Sequence, residues 1–260
     1  MSKAALVTGA SSGIGLELAR CLAADGYDLV MVARRRDRLE DIGRELGQRY
    51  GVRWWALPAD LSDSAAPIDI LHQVESFGIT VDILINNAGF GVLGPFATMD
   101  PDAASRMLQV NVTALTRLTR LFLPGMLDRR SGRILNVAST AGFVPGPLMA
   151  VYYASKAYVI SFSEALGEEL RGSGVTVTVL CPGPTRTEFQ QVAGMESARL
   201  FRVPGVMDGA AVARQGYAGM MAGKRMVIPG ALNRALPFAI RFSPRGLVAR
   251  VAKVFQERVR

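Results

Sequence analysis

Tyr152 and Lys156 stand four residues apart, a spacing that stacks two side chains on one helix face at neighbouring turns. A phenol with a pKa of about 10 is almost fully protonated near pH 7 and can give up a proton. A cation within ~4–6 Å lowers such a pKa by about 1–3 units. That brings it toward the range where one group can both donate and accept. The pair therefore points to proton transfer, with Lys156 expected to depress Tyr152. Tyr153 has no lysine four residues on and is read as a packing residue. His72, the only histidine, lies among Leu71, Gln73 and Glu75 without a ligating or nucleophilic partner, so no role and no metal site are expected.

A second group binds rather than reacts. Thr8-Gly9-Ala10-Ser11-Ser12-Gly13-Ile14-Gly15 follows a short apolar run and leads into a helical pattern. Glycines let a chain turn sharply and approach a pyrophosphate, and a helix start offers it free amides and a positive dipole end. The second apolar run ends at Ala33, where an NAD site usually carries an acid, and Arg34-Arg35-Arg36 follow. Guanidinium groups bond a 2′-phosphate that a carboxylate would repel. NADP(H) is thus expected over NAD(H), through Arg34 and Arg35; a solvated basic cluster is the competing reading.

The elements that must position these groups alternate along the chain. Near-continuous apolar runs at Ala4–Thr8, Tyr27–Ala33, Val52–Pro58, Val81–Ile85, Arg133–Ser139, Val175–Cys181 and Met226–Pro229 read as strands covered on both faces. Helical patterns such as Gly13–Ala24 and Arg38–Tyr50 lie between them. The order implies one α/β domain, a Rossmann-like doubly wound parallel sheet of about seven strands with helices on both faces. Residues 1–230 would form the dinucleotide-binding and catalytic domain, and 231–260 a basic amphipathic extension.

In order and spacing these motifs resemble the short-chain dehydrogenase/reductase family. The glycine turn has its T-G-x-x-x-G-x-G form, Asn86-Asn87-Ala88-Gly89 its N-N-A-G, and Tyr152 to Lys156 its Y-x-x-x-K. Asn111, Ser139, and Pro182-Gly183 with Thr187 four residues on complete a likeness spanning roughly residues 3–230. The resemblance implies a catalytic set of Asn111, Ser139, Tyr152 and Lys156. Ser139 would hold a carbonyl, Tyr152 protonate its oxygen, Lys156 also bond the nicotinamide ribose, and Asn111 order a water in a proton relay. It further implies cofactor contacts at Gly9, Ser11, Ser12, Gly13, Ile14, Gly15, Asp60, Leu61, Asn87, Ala88, Gly89, Pro182, Gly183, Thr185 and Thr187. Asp60-Leu61 would meet the adenine, although a helix cap competes there. A homo-oligomer, dimer or tetramer, would pack through the helices of Asn111 and Tyr152.

The expected activity is carbonyl–alcohol interconversion on an apolar small molecule such as a ketone, steroid-like or acyl carbonyl. A redox sensor with little turnover and a membrane-peripheral lipid carbonyl reductase are the alternatives. The resemblance also implies a substrate lid over about 189–205, which would carry Phe189, Val192, Met195, Leu200 and Phe201, with Phe143, Val144, Pro145, Leu148 and Met149 opposite. The net charge of +8 resides in residues 224–260, where nine Lys/Arg meet one acid, Glu257. Arg245–Arg260 places Leu247, Val248, Val251, Val254, Phe255 and Val259 at helical spacing, with Arg250, Lys253 and Glu257 mainly opposite. Such a helix packs on its own body, on a partner subunit, or on an anionic bilayer. Nucleic acid is not expected, since no recognised motif accompanies the charge. Cys21 and Cys181 read as core residues, and a cytoplasmic protein is expected.

Overall fold

The computed structural model describes residues 3–195, 198–201 and 205–256. The side chains of the expected lid residues Val192 and Phe201, with Pro204, Glu257 and Val259, lie outside that description. The chain runs β1 (Ala4–Thr8), α1 (Gly13–Ala24), β2 (Asp28–Ala33), α2 (Arg36–Tyr50), β3 (Trp54–Pro58), α3 (Ala66–Ser76), β4 (Val81–Asn86), α4 (Pro101–Leu108), α5 (Leu115–Asp128) and β5 (Gly132–Val137). It continues through α6 (Ala150–Glu169), β6 (Val175–Leu180), β7 (Thr185–Arg186), α7 (Phe189–Val192), β8 (Met207–Asp208), α8 (Gly209–Met221), β9 (Met226–Val227), α9 (Ala231–Arg241) and α10 (Arg245–Gln256). Seven strands form one parallel sheet in the order β3-β2-β1-β4-β5-β6-β9, the doubly wound architecture expected.

The apolar strands follow from this layering. Ala5 and Val7 of β1 enter a core shared with α1, α2 and α8, while Leu6 between them enters the opposite core with α3 and α5. Side chains alternate across a strand, so a sheet covered on both faces needs apolar residues at every position. The strand order reverses between β1 and β4, and there the carboxyl ends leave a crevice. The glycine turn after β1 is locked across it. Thr8 Oγ1 donates to the Ile85 carbonyl and accepts from the amides of Asn87 and Ala88, while Asn87 Nδ2 donates to the carbonyls of Thr8 and Gly9.

Three expectations need correction. The fifth strand stops at Val137, and Ser139 instead caps a 3₁₀ turn, Thr140–Phe143, accepting from the Ala141 amide at 3.1 Å. Cys181 is buried but Cys21 is only half-buried, on the outer side of α1. Helix α2 begins at Arg36, two residues before the expected start, so the arginine run leads into its first turn.

The end of the chain folds back over the carboxyl ends of the sheet. Asn233 of α9 lies so close to Gly183 that a Cβ there would meet its amide at 2.4 Å, while its Nδ2 donates to the Pro229 carbonyl. Helix α9 packs on the Thr140–Phe143 turn and α10 on the turn at Arg199–Phe201. Gln256, the last residue of α10, is buried, and its Nε2 donates to the Tyr153 hydroxyl. Among the described residues no helix is long and apolar enough to cross a membrane.

Candidate active site

One cavity of about 960 Å³ runs along the crevice, from Arg34, Arg35, Asp60 and Leu61 at one end to Ser139, Tyr152 and Lys156 at the other. Its floor is the glycine turn at Gly9, Ser11, Ser12, Gly13 and Ile14, and its flanks are Asn87-Ala88-Gly89 and Pro182-Gly183 with Thr185 and Thr187. Nearly every expected cofactor residue is thus brought to one surface. Gly15 is not: a Cβ there would meet the Gly9 carbonyl oxygen at 2.3 Å and Asn87 Nδ2 at 2.4 Å, so its bareness serves packing of helix on strand.

The bed suits a dinucleotide phosphate. Ser12, at the start of α1, makes no side-chain cap, which leaves the first-turn amides for a ligand. Gly9 and Gly13 adopt positive φ of 68° and 56°, which shape the turn and are readily tolerated only without a Cβ. Asp60 accepts from the Ser62 amide at 2.9 Å, and that bond holds its carboxyl below the usual range, with Arg34 adding a small pull. It therefore both shapes the turn before α3 and lines the cavity.

Tyr152 and Lys156 share the inner face of α6, both buried. Lys156 Nζ donates to the Val137 carbonyl at 2.8 Å and lies 5.8 Å from the Tyr152 ring centroid. Burial drives the lysine down to about 8. The expected depression of Tyr152 is not found. Burial raises its pKa well above the ordinary value, and only a hydrogen bond with Ser139 opposes this. The reason is dielectric: a phenolate pays the desolvation cost of the site, and the ammonium sits over the ring, engaged with a backbone carbonyl.

Asn111 does not line the cavity; it stands behind it in Gln109–Ala114, a π-helical segment between α4 and α5. Such segments put an extra residue into a helix and recur at functional sites. Its Oδ1 accepts from the Phe90 amide, and its Nδ2 donates to the Phe90 carbonyl and to Ser155 Oγ, which donates to the Tyr152 carbonyl. A Cβ on Gly89 would meet Asn111 Oδ1 at 3.0 Å and Lys156 Nζ at 3.3 Å. Asn111 Oδ1 and Lys156 Nζ thus both crowd the bare side of Gly89, in the loop that follows β4.

The substrate end is apolar. Val144, Met149, Phe189, Met195 and Leu200 line it as expected, whereas Phe143 and Pro145 face a separate small hollow and Leu148 lines neither. Tyr153 does more than pack: it lines the cavity, its hydroxyl is tied to Gln256, and burial pushes it up to about 12. Leu236, Ile240, Leu247, Val251 and Phe255 of α9 and α10 close the far wall; helical spacing marked Leu247, Val251 and Phe255 as a face needing cover, though not as cavity lining, and nothing marked Leu236 and Ile240. Glu188 was also missed. It bridges Arg35 at 2.9 Å and Arg38 at 2.6 Å, joining the start of α7 to that of α2 across the mouth of the nucleotide end. Only its place beside Thr187 could have drawn attention to it. His72 is exposed on α3, and among the described residues no group of three or more His, Cys, Asp or Glu could hold a metal.

The arrangement has relatives. The model described as short chain dehydrogenase matches residues 3–197. A "Very-long-chain 3-oxoacyl-CoA reductase" of Anas platyrhynchos is 34% identical over 195 residues, covering 73% of this chain and 62% of the relative. The chain therefore spans about three-fifths of that relative's length. Among solved structures, a short-chain dehydrogenase from Sphingobium yanoikuyae in complex with NADPH superposes with a TM-score of 0.84 at 34% identity, covering 94% of each chain. The bulky-bulky ketone specific alcohol dehydrogenase of Comamonas testosteroni gives 0.77 at 29% identity, covering 94% of this chain and 95% of that one.

Proposed function

The chain belongs to the short-chain dehydrogenase/reductase family, and we propose that it is an oxidoreductase that interconverts a carbonyl and an alcohol on an apolar small molecule, with NADP(H) preferred. The observation that carries this reading is the single cavity joining Arg34 and Arg35 at one end to Ser139, Tyr152 and Lys156 in apolar surroundings at the other.

The nicotinamide cofactor supplies hydride chemistry at the carbonyl carbon. The protein's own groups do the rest. The glycine turn and the opening amides of α1 take the phosphates, and Arg34 and Arg35 bond a 2′-phosphate. Thr185 and Thr187 face the same cavity from the other side. Ser139 hydrogen-bonds the substrate oxygen and holds it near the Tyr152 hydroxyl. Tyr152, protonated near pH 7 as an ordinary phenol is, donates its proton as negative charge grows on that oxygen, with the Lys156 ammonium 5.8 Å from its ring centroid. A raised pKa keeps Tyr152 protonated but makes it a weaker acid, so its proton moves only as the substrate oxygen gains negative charge. The apolar walls exclude water and select an apolar substrate.

Following NADPH consumption against ketones, quinones, steroids and β-ketoacyl thioesters tests the proposal; no turnover with any of them would sink it. Arg34→Ala and Arg35→Ala, made singly, should each weaken NADPH binding tens-fold to hundred-fold, at about 1.5–3 kcal/mol for each charge-assisted bond, and leave NADH binding nearly unaltered. Equal affinity of the unaltered protein for both cofactors would remove the assigned preference. Glu188→Gln should act oppositely. Its carboxylate occupies Arg35, so its removal should tighten NADPH several-fold, as expected for an exposed pair worth about 1 kcal/mol or less; weaker NADPH binding would show that Glu188 supports the site instead.

A further inference from the structure

Large apolar side chains are exposed singly over most of the surface but gather on α9 and α10. Phe238 and Phe242, four apart, are 71% and 85% exposed, and Leu232, Leu247 and Val254 stand open on the same two helices. These helices also carry Arg234, Arg241, Arg245, Arg250 and Lys253, all exposed and none paired with a carboxylate among the described residues. Residues 231–256 contain no acid at all. The inner side of the pair closes the cavity, and Leu236, Leu247, Val251 and Phe255 are both exposed and part of the cavity lining. Those four residues form its mouth.

We propose that the outer face of α9 and α10 docks on an anionic lipid surface, and that an apolar substrate dissolved in that membrane enters the cavity between these helices. Two observations select the occupant. An unpaired basic rim around exposed phenylalanines matches a surface that is negative at the headgroups and apolar beneath. A second copy of the chain does not match: a two-fold contact would set the same five cations against themselves, with no acid in the patch to answer them. Docking would place the mouth against hydrocarbon, so an apolar molecule could pass from bilayer to cavity without crossing water. The entry step rests on the carbonyl-reductase reading; the docking does not.

The test uses the whole chain and sedimentation with vesicles of phosphatidylcholine, with and without phosphatidylglycerol, at low and high salt. The unaltered protein should bind the anionic vesicles, bind the neutral ones weakly, and lose binding as salt rises. Phe238→Ser with Phe242→Ser, and separately Arg234→Glu with Arg250→Glu, should each weaken anionic-vesicle binding about tenfold or more, since each pair removes one of the two contributions. Neither pair lines the cavity, so turnover of a water-soluble ketone should be unchanged, while turnover of an apolar ketone carried in vesicles should fall with binding. Vesicle binding that is absent, or that is untouched by both double variants, overturns the docking. So does a dimer abolished by Phe238→Ser with Phe242→Ser in a protein that ignores vesicles. Vesicle binding without turnover of any ketone would leave the docking standing and remove the reductase reading instead.

Discussion

Tyr152→Phe is expected to lower turnover by about two to four orders of magnitude while leaving the NADPH dissociation constant nearly unchanged. The substitution removes one hydroxyl and keeps the ring, which packs against Phe189 at a centroid distance of 5.3 Å and against Tyr153 at 6.0 Å. The cavity should therefore retain its shape, and the glycine turn and arginines at its other end are untouched. What disappears is the proton meant for the substrate oxygen. Ser139, itself engaged with the Ala141 amide and the Pro182 carbonyl, can orient that oxygen but has no pKa suited to replace the phenol. Steady-state rates with the best ketone, beside cofactor titration by fluorescence, separate the two effects. Turnover retained in Tyr152→Phe would transfer the acid to another group.

Lys156→Met should behave differently, because the lysine is assigned to both the reaction and the cofactor. NADPH should bind less tightly, and turnover is expected to fall with it, because the lysine assigned to hold the nicotinamide ribose beside Tyr152 is gone. Stability supplies an independent signature. Burial lowers the Lys156 ammonium from the ordinary lysine value of 10.5 to about 8 in the folded protein. Between those two values the unfolded chain holds more protons at this site than the folded one, so the Lys156 contribution to stability rises with pH across that window, while the raised Cys181 thiol removes stability above about pH 9 in both proteins. Below about pH 8 both states are charged, and the cost of burying the ammonium is carried in full. The rise should be on the order of 3 kcal/mol for the cofactor-free protein and absent from Lys156→Met. Tyr152 acts oppositely, its raised pKa removing stability only above about pH 10. Denaturant unfolding of both proteins at several pH values checks this; identical pH profiles would mean that Lys156 titrates normally.

The parts of this molecule that were legible in the sequence are those governed by local rules. Apolar runs reveal strands buried on both faces, and the glycine turn reveals a backbone that must come close to something. Spacing alone placed Tyr152 and Lys156 on one side of α6. It could not reveal the dielectric around them, which depends on everything packed nearby, and so the direction of the Tyr152 shift was misjudged. Long-range polar partners were hidden for a related reason. Asn86 Nδ2 donates to Asn136 Oδ1 and Thr119 Oγ1, and Asn136 Nδ2 donates to Ser163 Oγ, forming a buried chain across β4, β5, α5 and α6. No short pattern encodes such a network. The basic amphipathic end was recognisable as a helix needing cover, but amphipathicity says only that a face must be buried. Tyr153 and Gln256, 103 residues apart, show where one of those faces went.

The division of labour along the chain has an engineering consequence. The stretch matched by the family model, residues 3–197, contains the glycine turn with its flanking cavity residues and the proposed proton donor with its neighbours. Much of the far wall of the reaction chamber comes later, from α9 and α10. The proposed chemistry lies wholly in the first portion of the coding sequence, while the apolar lining is shared between Val144, Met149, Phe189 and Met195 there and the two later helices. A library confined to residues 231–256 could redirect which molecules are accepted without disturbing how they react, and a graft of those two helices between homologues should carry preference with it as a cassette.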